Sequence, residues 1–270
     1  MRSEAPPLNA NLVRQYFVVQ VARKLKKPDS SPIGWLITKT FFKHSSASLA
    51  AAAVEHCNLR PGQDVLEIGY GIGLGIQLAA KRVAPLTVEY HSRHNTWKRF
   101  WDRKRGEPVS FPEDGHVDGI DISDYMLKKA SRLNRTLIKS EVVNLRLSSV
   151  EHLPLLANTV DACFHVNSFY FWESLPKGLH QIWRVLRPDG RLVTTFCPFW
   201  IKRFNELGLF RYARADPIAY ALALEACGFD RIEWLKGQVW PGYDVPYDAI
   251  IAHKPVTSLL TSPTTSQDTC

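Results

Sequence analysis

Short apolar runs alternate with helically spaced stretches through most of this chain. Val65-Leu66-Glu67-Ile68, just after the turn Pro61-Gly62, reads as a buried strand. Glycines follow it, and Ile76 to Arg82 then has helical character. Ile120-Asp121-Ile122 is a second strand, ending in an acid. Ser123 caps a helix behind it, Asp124 to Ala130. Val142 to Leu147 and Val160 to Val166 are further strands. Leu175 to Leu186 is a helix closed by the turn Arg187-Pro188-Asp189-Gly190, and Arg191 to Phe196 is the next strand. Asp216 to Cys227 is predicted helical. Asp230–Leu235 and Tyr247–Ala252 complete a set of seven strands. Strands alternating with helices predict an α/β fold: a Rossmann-like, doubly wound, mostly parallel sheet.

Ahead of this core, residues 1–58 are expected to form an N-terminal helical cap. Asn9 to Lys27 is predicted helical, and Lys24, Lys26 and Lys27 crowd its end, as suits a helix C-terminus. Pro28-Asp29-Ser30-Ser31-Pro32 breaks it. Ile33 to Lys43 is a short apolar and aromatic segment, and Ala47 to Cys57 is an alanine-rich helix capped by Ser45 or Ser46. The core domain spans 59–254, with an insertion at about 85–116 where such a connection usually takes only a few residues. Inside it, Thr96 to Arg105 reads as a basic, aromatic-bearing helix. Residues 255–270 are rich in Ser and Thr and are expected to be a disordered tail.

At 270 residues with 45% hydrophobic content, the chain has ample material for a core. Its formal charge of +8 invites a nucleic-acid or anionic-membrane reading. The excess sits in two stretches, 23–27 and 98–105, and such runs are usually solvated faces. Nucleic acid is therefore not expected as a partner, while weak peripheral membrane contact through the basic stretches stays open. The five cysteines are scattered, with no C-x-x-C and no His/Cys cluster, so no metal is expected. Without a signal-like N-terminus or a run long enough to span a bilayer, a cytoplasmic protein is expected.

The glycine turn carries the chemistry. After the strand come Gly69, Gly71, Gly73 and Gly75, with Glu67 two residues before the first. Backbone of this kind takes φ > 0 and lets a ligand approach the main chain. A dinucleotide fingerprint needs a third glycine that Leu74 or Ile76 does not supply, so an NAD(P) dehydrogenase is disfavoured. The acid followed by G-x-G-x-G resembles motif I of the class I S-adenosylmethionine (SAM) dependent methyltransferases. The resemblance extends through Gly119-Ile120-Asp121-Ile122-Ser123, Glu151-His152-Leu153-Pro154, Val166-Asn167-Ser168-Phe169-Tyr170 and Ile182-Trp183-Arg184-Val185-Leu186-Arg187-Pro188-Asp189-Gly190. Over residues 60–197 it is similar in particular to the small-molecule and lipid-quinone branch called UbiE-like, or methyltransferase type 11.

That resemblance implies SAM as cofactor and assigns roles. Gly69, Gly71 and Gly73 would pass beneath its methionine and ribose, and Glu67 would draw its ammonium group. Asp121 would accept from the ribose hydroxyls, and Ile122 would pack on adenine. Asn167 would meet the methionine end and face the acceptor. Where the family often has an acid for the adenine amino group, this chain has Ser149, a weaker acceptor, so backbone at Ser149 and Val150 would share that contact.

Methyl transfer from a sulfonium is an in-line displacement, so alignment matters more than a covalent residue. A base is needed only if the acceptor must first lose a proton. Tyr170, His165 and Glu173 are candidates, although His165 inside a strand reads more simply as a core histidine. Tyr70, Phe169, Tyr170 and Trp172 could flank the methyl group and acceptor. Tyr170 and Asn167 are taken as the catalytic pair. The chain lacks the Asn/Asp-Pro-Pro-aromatic box and the Pro-Cys pair of nucleobase methylation, which favours a small-molecule or lipid-like acceptor. Tyr16, Phe17, Trp35, Phe41 and Phe42 would supply an apolar pocket wall. The alternative is a methyltransferase-like binding protein without catalysis, motivated by Ser149 and by the insertion. Acceptor, methylated atom and oligomeric state are not legible.

Overall fold

The computed structural model describes residues 10–39, 43–94 and 111–256. The lead-in, the Thr96–Arg105 stretch and all but the first two residues of the expected tail lie outside them. One seven-stranded sheet has the order β3-β2-β1-β4-β5-β7-β6. Its strands are β1 (Val65–Ile68), β2 (Val117–Asp121), β3 (Val143–Leu147), β4 (Val160–Val166), β5 (Leu186–Phe196), β6 (Asp230–Trp240) and β7 (Tyr243–His253). β1 to β5 are parallel, and β7 runs antiparallel to both of its neighbours. From β1 the chain steps outward to β2 and β3, then returns to place β4 on the other side of β1. The order reverses there, which opens a crevice at the carboxyl ends of β1 and β4.

The helices are α1 (Ala10–Lys26), α2 (Pro32–Ile37), α3 (Lys43–His56), α4 (Leu74–Val83), α5 (Pro85–His94), α6 (Asp124–Leu133), α7 (Arg135–Lys139), α8 (Leu175–Val185), α9 (Pro198–Glu206) and α10 (Pro217–Ala226). Side chains alternate across each strand. Leu66, Ile68, Ile120, Cys163 and Leu192 meet Leu179 and Ile182 of α8 and Tyr220 and Leu224 of α10 in one core cluster. Val65, Val117, Ala162, Phe164 and Val193 meet Ala53 and Val54 of α3 and the inner face of α4 in another. Burial on both faces explains why β1 is an unbroken buried run. Local sequence starts the helices: Ser123, Ser174 and Asp216 accept backbone N–H groups of α6, α8 and α10. At the amino ends of β1 and β4, Arg187 bridges Asp64 at 2.9 Å and Asp161 at 2.5 Å, locking the sheet far from the crevice.

Four details differ from expectation. The segment after Pro32 is a helix, because Ser31 caps it through the Gly34 N–H. The turn at Arg187–Gly190 lies inside β5, where Asp189 N and Gly190 O pair with Lys254. β6 and β7 extend into a hairpin around Gly242, whose φ is 76°. Finally, α9 follows β5 directly, with Pro198 at its start. The N-terminal segment also divides. Leu25 of α1 and Ile37 of α2 join the core cluster beneath the crevice, while α3 covers the sheet through Leu49, Ala52 and Ala53. The expected insertion begins as α5.

Candidate functional site

A cavity of about 260 Å³ lies in the crevice. Its walls differ in kind. Its polar part comprises Gly69, Gly71, Asp121, Ile122, Ser149 and Val150, and its aromatic part Tyr170, Phe171, Trp172, Trp200, Phe204 and Phe210; the two meet where Glu151 bonds both Ser149 and the Glu173 N–H. Asn167 and Ser168, just past β4, sit among the lining residues as well.

The polar end is built from backbone and one carboxylate. Gly69 and Gly71 hold φ of 72° and 51°, the left-handed region that glycine adopts cheaply. The Gly71 N–H donates to Asp121 Oδ2 at 3.0 Å, and the Ser123 N–H donates to Asp121 Oδ1 at 2.8 Å. A carboxylate has about four acceptor sites, so further hydrogen bonds can still be taken. Burial raises the Asp121 pKa to about 6, against the pull of the Ser123, Gly71 and Ile122 N–H groups and of Lys27. Ser123, not Asp121, caps α6 through the Met126 N–H at 3.2 Å, and its hydroxyl donates to the Pro28 carbonyl at 2.6 Å. That bond ties the segment after α1 over this end, where Leu25, Lys26 and Pro28 join the wall.

Ser149 stands where an acid was missed in the sequence. Its hydroxyl donates to Glu151 Oε2, and Glu151 Oε1 accepts the N–H groups of Glu173 at 2.8 Å and Ser174 at 3.2 Å. Burial raises the Glu151 pKa, but the Ser149 bond and these N–H groups outweigh it and hold the carboxyl below its usual range. The Ser149 oxygen also accepts the Glu151 N–H at 3.3 Å, so its proton is committed and one acceptor site is left.

Three expected contacts fall outside the lining. Glu67 is buried behind the turn, where it accepts from the Ile76 N–H of α4; burial pushes its pKa well above the usual range. A Cβ on Gly75 would lie 2.3 Å from Glu67 Oε1, so that glycine makes room for the carboxyl. Gly73 serves packing: a Cβ there would lie 2.6 Å from Asn134 Nδ2 and 2.9 Å from Ala130 Cβ. Tyr70 is buried with its ring against Gly119, a position only a residue without a side chain can hold.

Among the candidate bases, His165 is buried in the core. Its Nε2 lies 2.8 Å from the Tyr220 hydroxyl and 2.9 Å from Thr194 Oγ1. Burial lowers its pKa to about 3, so the ring stays neutral. Phe169 is buried among His165, Phe196 and Tyr220, beneath the cavity. Tyr170 does line the cavity, but burial pushes its phenol above the ordinary range. Glu173 is exposed at the rim. Asn167 holds φ of 50°, a left-handed turn that asparagine adopts readily, with its N–H bonded to Thr195 O at 3.0 Å.

The expected aromatic wall is also redistributed. Tyr16, Phe17 and Trp35 are exposed, and Phe41 and Phe42 lie outside the described residues. Trp200 and Phe204, spaced i and i+4 on α9, and Phe210 after it form the wall instead. The i, i+4 spacing behind Pro198 was a readable signal for the first two. Phe210 had none, since it reaches the cavity by packing against Tyr170, Phe204 and Phe171, with ring centroids 5.0, 5.3 and 5.9 Å apart. No group of three or more metal-ligating side chains occurs among the described residues.

These residues fit an adenosine-bearing cation. Asp121 offers acceptors at a strand end, Ile122 and Met126 offer apolar faces, and two left-handed glycines bare the main chain. Glu67 Oε2 lies buried behind the turn without a hydrogen-bond partner, and its raised pKa makes it a polar but uncharged neighbour. Comparison with known proteins agrees. A family model described as a methyltransferase domain matches residues 109–194. An uncharacterized methyltransferase, YdaC, of Bacillus subtilis (strain 168) is 29% identical over 145 residues, covering 54% of this chain and 62% of that protein. A demethylmenaquinone methyltransferase of Symbiobacterium thermophilum is 28% identical over 159 residues, covering 59% and 52%. The chain thus spans between 52% and 62% of the length of these two relatives. A SAM-dependent methyltransferase from Aquifex aeolicus shares the fold, with a TM-score of 0.54 at 19% identity over 80% of this chain and 96% of that one.

Proposed function

We propose, for a chain that belongs to the class I SAM-dependent methyltransferases and takes SAM as its cofactor, that it methylates a small, largely apolar acceptor of lipid-like character. The observation that carries this reading is the cavity itself, in which the Asp121 end is continuous with a wall of six aromatic rings. When bound, SAM supplies a methyl group on a sulfonium, open to in-line displacement.

The chain's own residues do the rest. Asp121 takes the ribose hydroxyls as a charged acceptor. Ile122, Met126 and Val150 sandwich the adenine, and Ser149, oriented by Glu151, accepts from its amino group. Asn167, held just past β4 by its N–H bond to Thr195 O, fixes the methionine end beside the aromatic wall. Tyr170, Trp172 and Trp200 exclude water and present ring faces, which favour a sulfonium. None of the groups at the aromatic end is an ionised base poised inside the cavity, because burial keeps the Tyr170 phenol protonated. Catalysis by alignment therefore suits acceptors that already carry a nucleophilic atom. The demethylmenaquinone methyltransferase, by its name, acts on an apolar quinone, and it is consistent with this class of acceptor.

The test is a methylation screen with labelled SAM against paired acceptors, apolar aromatic or isoprenoid compounds versus charged metabolites, with Asp121→Ala as control. Transfer to the apolar set is expected. Preference for highly charged metabolites would overturn the acceptor assignment. Calorimetry without heat at high micromolar SAM would favour a binding protein instead.

A further inference from the structure

α1 does two things at once. Its C-terminal end contributes Leu25 and Lys26 to the cavity wall, and Pro28 behind it is held by Ser123. Its outer face is left to solvent. Tyr16 is 67% exposed and Phe17 55%, and Trp35 on α2 is 49% exposed with Lys39 Nζ 4.9 Å from its ring centroid. Tyr16, Gln20 and Arg23 share one face at i, i+4 and i+7. They line a shallow groove whose other bank is Arg211 and Tyr212, just after α9 and beside the wall residue Phe210.

Charge on this face has one sign. Between Ala10 and Pro28 the sequence carries Arg14, Arg23, Lys24, Lys26 and Lys27 and no acid. Lys24 is paired with Asp29, while Arg23, Lys27 and Arg211 are exposed. Exposed rings beside exposed cations give this surface both apolar and charged contacts to offer the headgroup region of an anionic bilayer. Each basic side chain brought near such a surface strengthens partitioning roughly fivefold. No described helix is long and apolar enough to cross a membrane, so such contact would be interfacial.

We infer that the outer face of α1, with Trp35 and the Arg211–Tyr212 turn, docks on an anionic lipid surface and holds the aromatic end of the cavity against it. RNA bases stack on such rings as well, so competition between single-stranded RNA and vesicles separates the two occupants. The inference stands on this surface and not on the reaction proposed above, and it is read without turnover.

The experiment is cosedimentation of the full chain with phosphatidylcholine vesicles, alone and mixed with phosphatidylglycerol. Binding is expected only to the anionic vesicles and should weaken as salt is raised. Arg23→Glu with Arg211→Glu should reduce it by at least about tenfold. Tyr16→Ser with Phe17→Ser should reduce it severalfold. Circular dichroism and SAM binding should match the unaltered chain in both variants, since none of these four residues lines the cavity. The inference is overturned if the unaltered chain ignores anionic vesicles, or if both folded variants bind as well as it does. It is equally overturned if single-stranded RNA displaces the vesicles at lower concentration than free lipid. A dimer in sedimentation velocity that dissociates in Tyr16→Ser, Phe17→Ser would give the face to a second copy of the chain and overturn it too.

Discussion

The two ends of the cavity are made by different means. At the Asp121 end, main-chain groups do most of the work: two left-handed glycines and the N–H groups of Gly71 and Ser123 fix one carboxylate. At the aromatic end, side chains from β4's exit, α9 and the turn after it converge from positions 170 to 210. Under the proposed function the first part would hold SAM by hydrogen bonds and charge, and the second would select an acceptor by its shape. The difference teaches that the two recognitions would rest on separable physics, so changes at one part are expected to leave the other nearly untouched.

Asp121→Ala tests that separation most severely. Loss of hydrogen bonds to a charged acceptor costs about 1.5–3 kcal/mol, so SAM affinity by calorimetry should fall by roughly one to two orders of magnitude; the Gly71 and Ser123 N–H groups lose their acceptor too, so the melting temperature should drop with the chain still folded. Unchanged affinity would remove the cofactor from this end. Gly73→Ala comes next and asks whether that glycine packs or binds. Its φ of 86° and the 2.6 Å approach to Asn134 predict a destabilisation of about 1–3 kcal/mol, as for overpacking. Urea unfolding should show it, while SAM binding survives at low temperature; the reverse pattern would return Gly73 to the ligand.

Acidification probes the same carboxylate without mutation. The ionised form is the one that accepts hydroxyls, and burial has raised its pKa to about 6. SAM affinity should therefore be flat above that pH and fall by about tenfold for each unit below it. Asp121→Asn should abolish this step, and a step that persists in that variant belongs to another group. Trp200→Ala is the mildest change and belongs to the aromatic end. Removing one ring contact of about 0.5–1.5 kcal/mol should raise the KM for an apolar acceptor by roughly three- to tenfold. The Kd for SAM should not move, and a matching loss of SAM affinity would show that the two ends are coupled.

Much of the architecture was readable because it is local. The unbroken apolar run of β1, the Ser123 and Asp216 caps, and the acid closing β2 each sit in contiguous residues, and the seven strands follow from them. Asp121, Gly69, Gly71, Ser149, Val150 and Asn167 were legible as cavity residues for the same reason: strand ends and turns are dictated within a few positions. Glu67, Tyr70 and Gly73 looked identical in kind but sit behind the turn. Motif spacing says which backbone bends, not which side of the bend a side chain occupies. α9 was not predicted, although proline at a first helical position starts a helix.

Periodicity, caps and glycine placement, all short-range properties, fixed the doubly wound sheet and put one aspartate at its ligand edge. The convergence of Phe210 with Tyr170, the pinning of Pro28 by Ser123 and the outward turn of Tyr16 and Phe17 came from packing between segments more than 90 residues apart in the Ser123–Pro28 case. Such contacts minimise exposed apolar area over the whole molecule. No window of sequence contains that sum, so only the folded chain reveals which rings face the guest and which face the solvent.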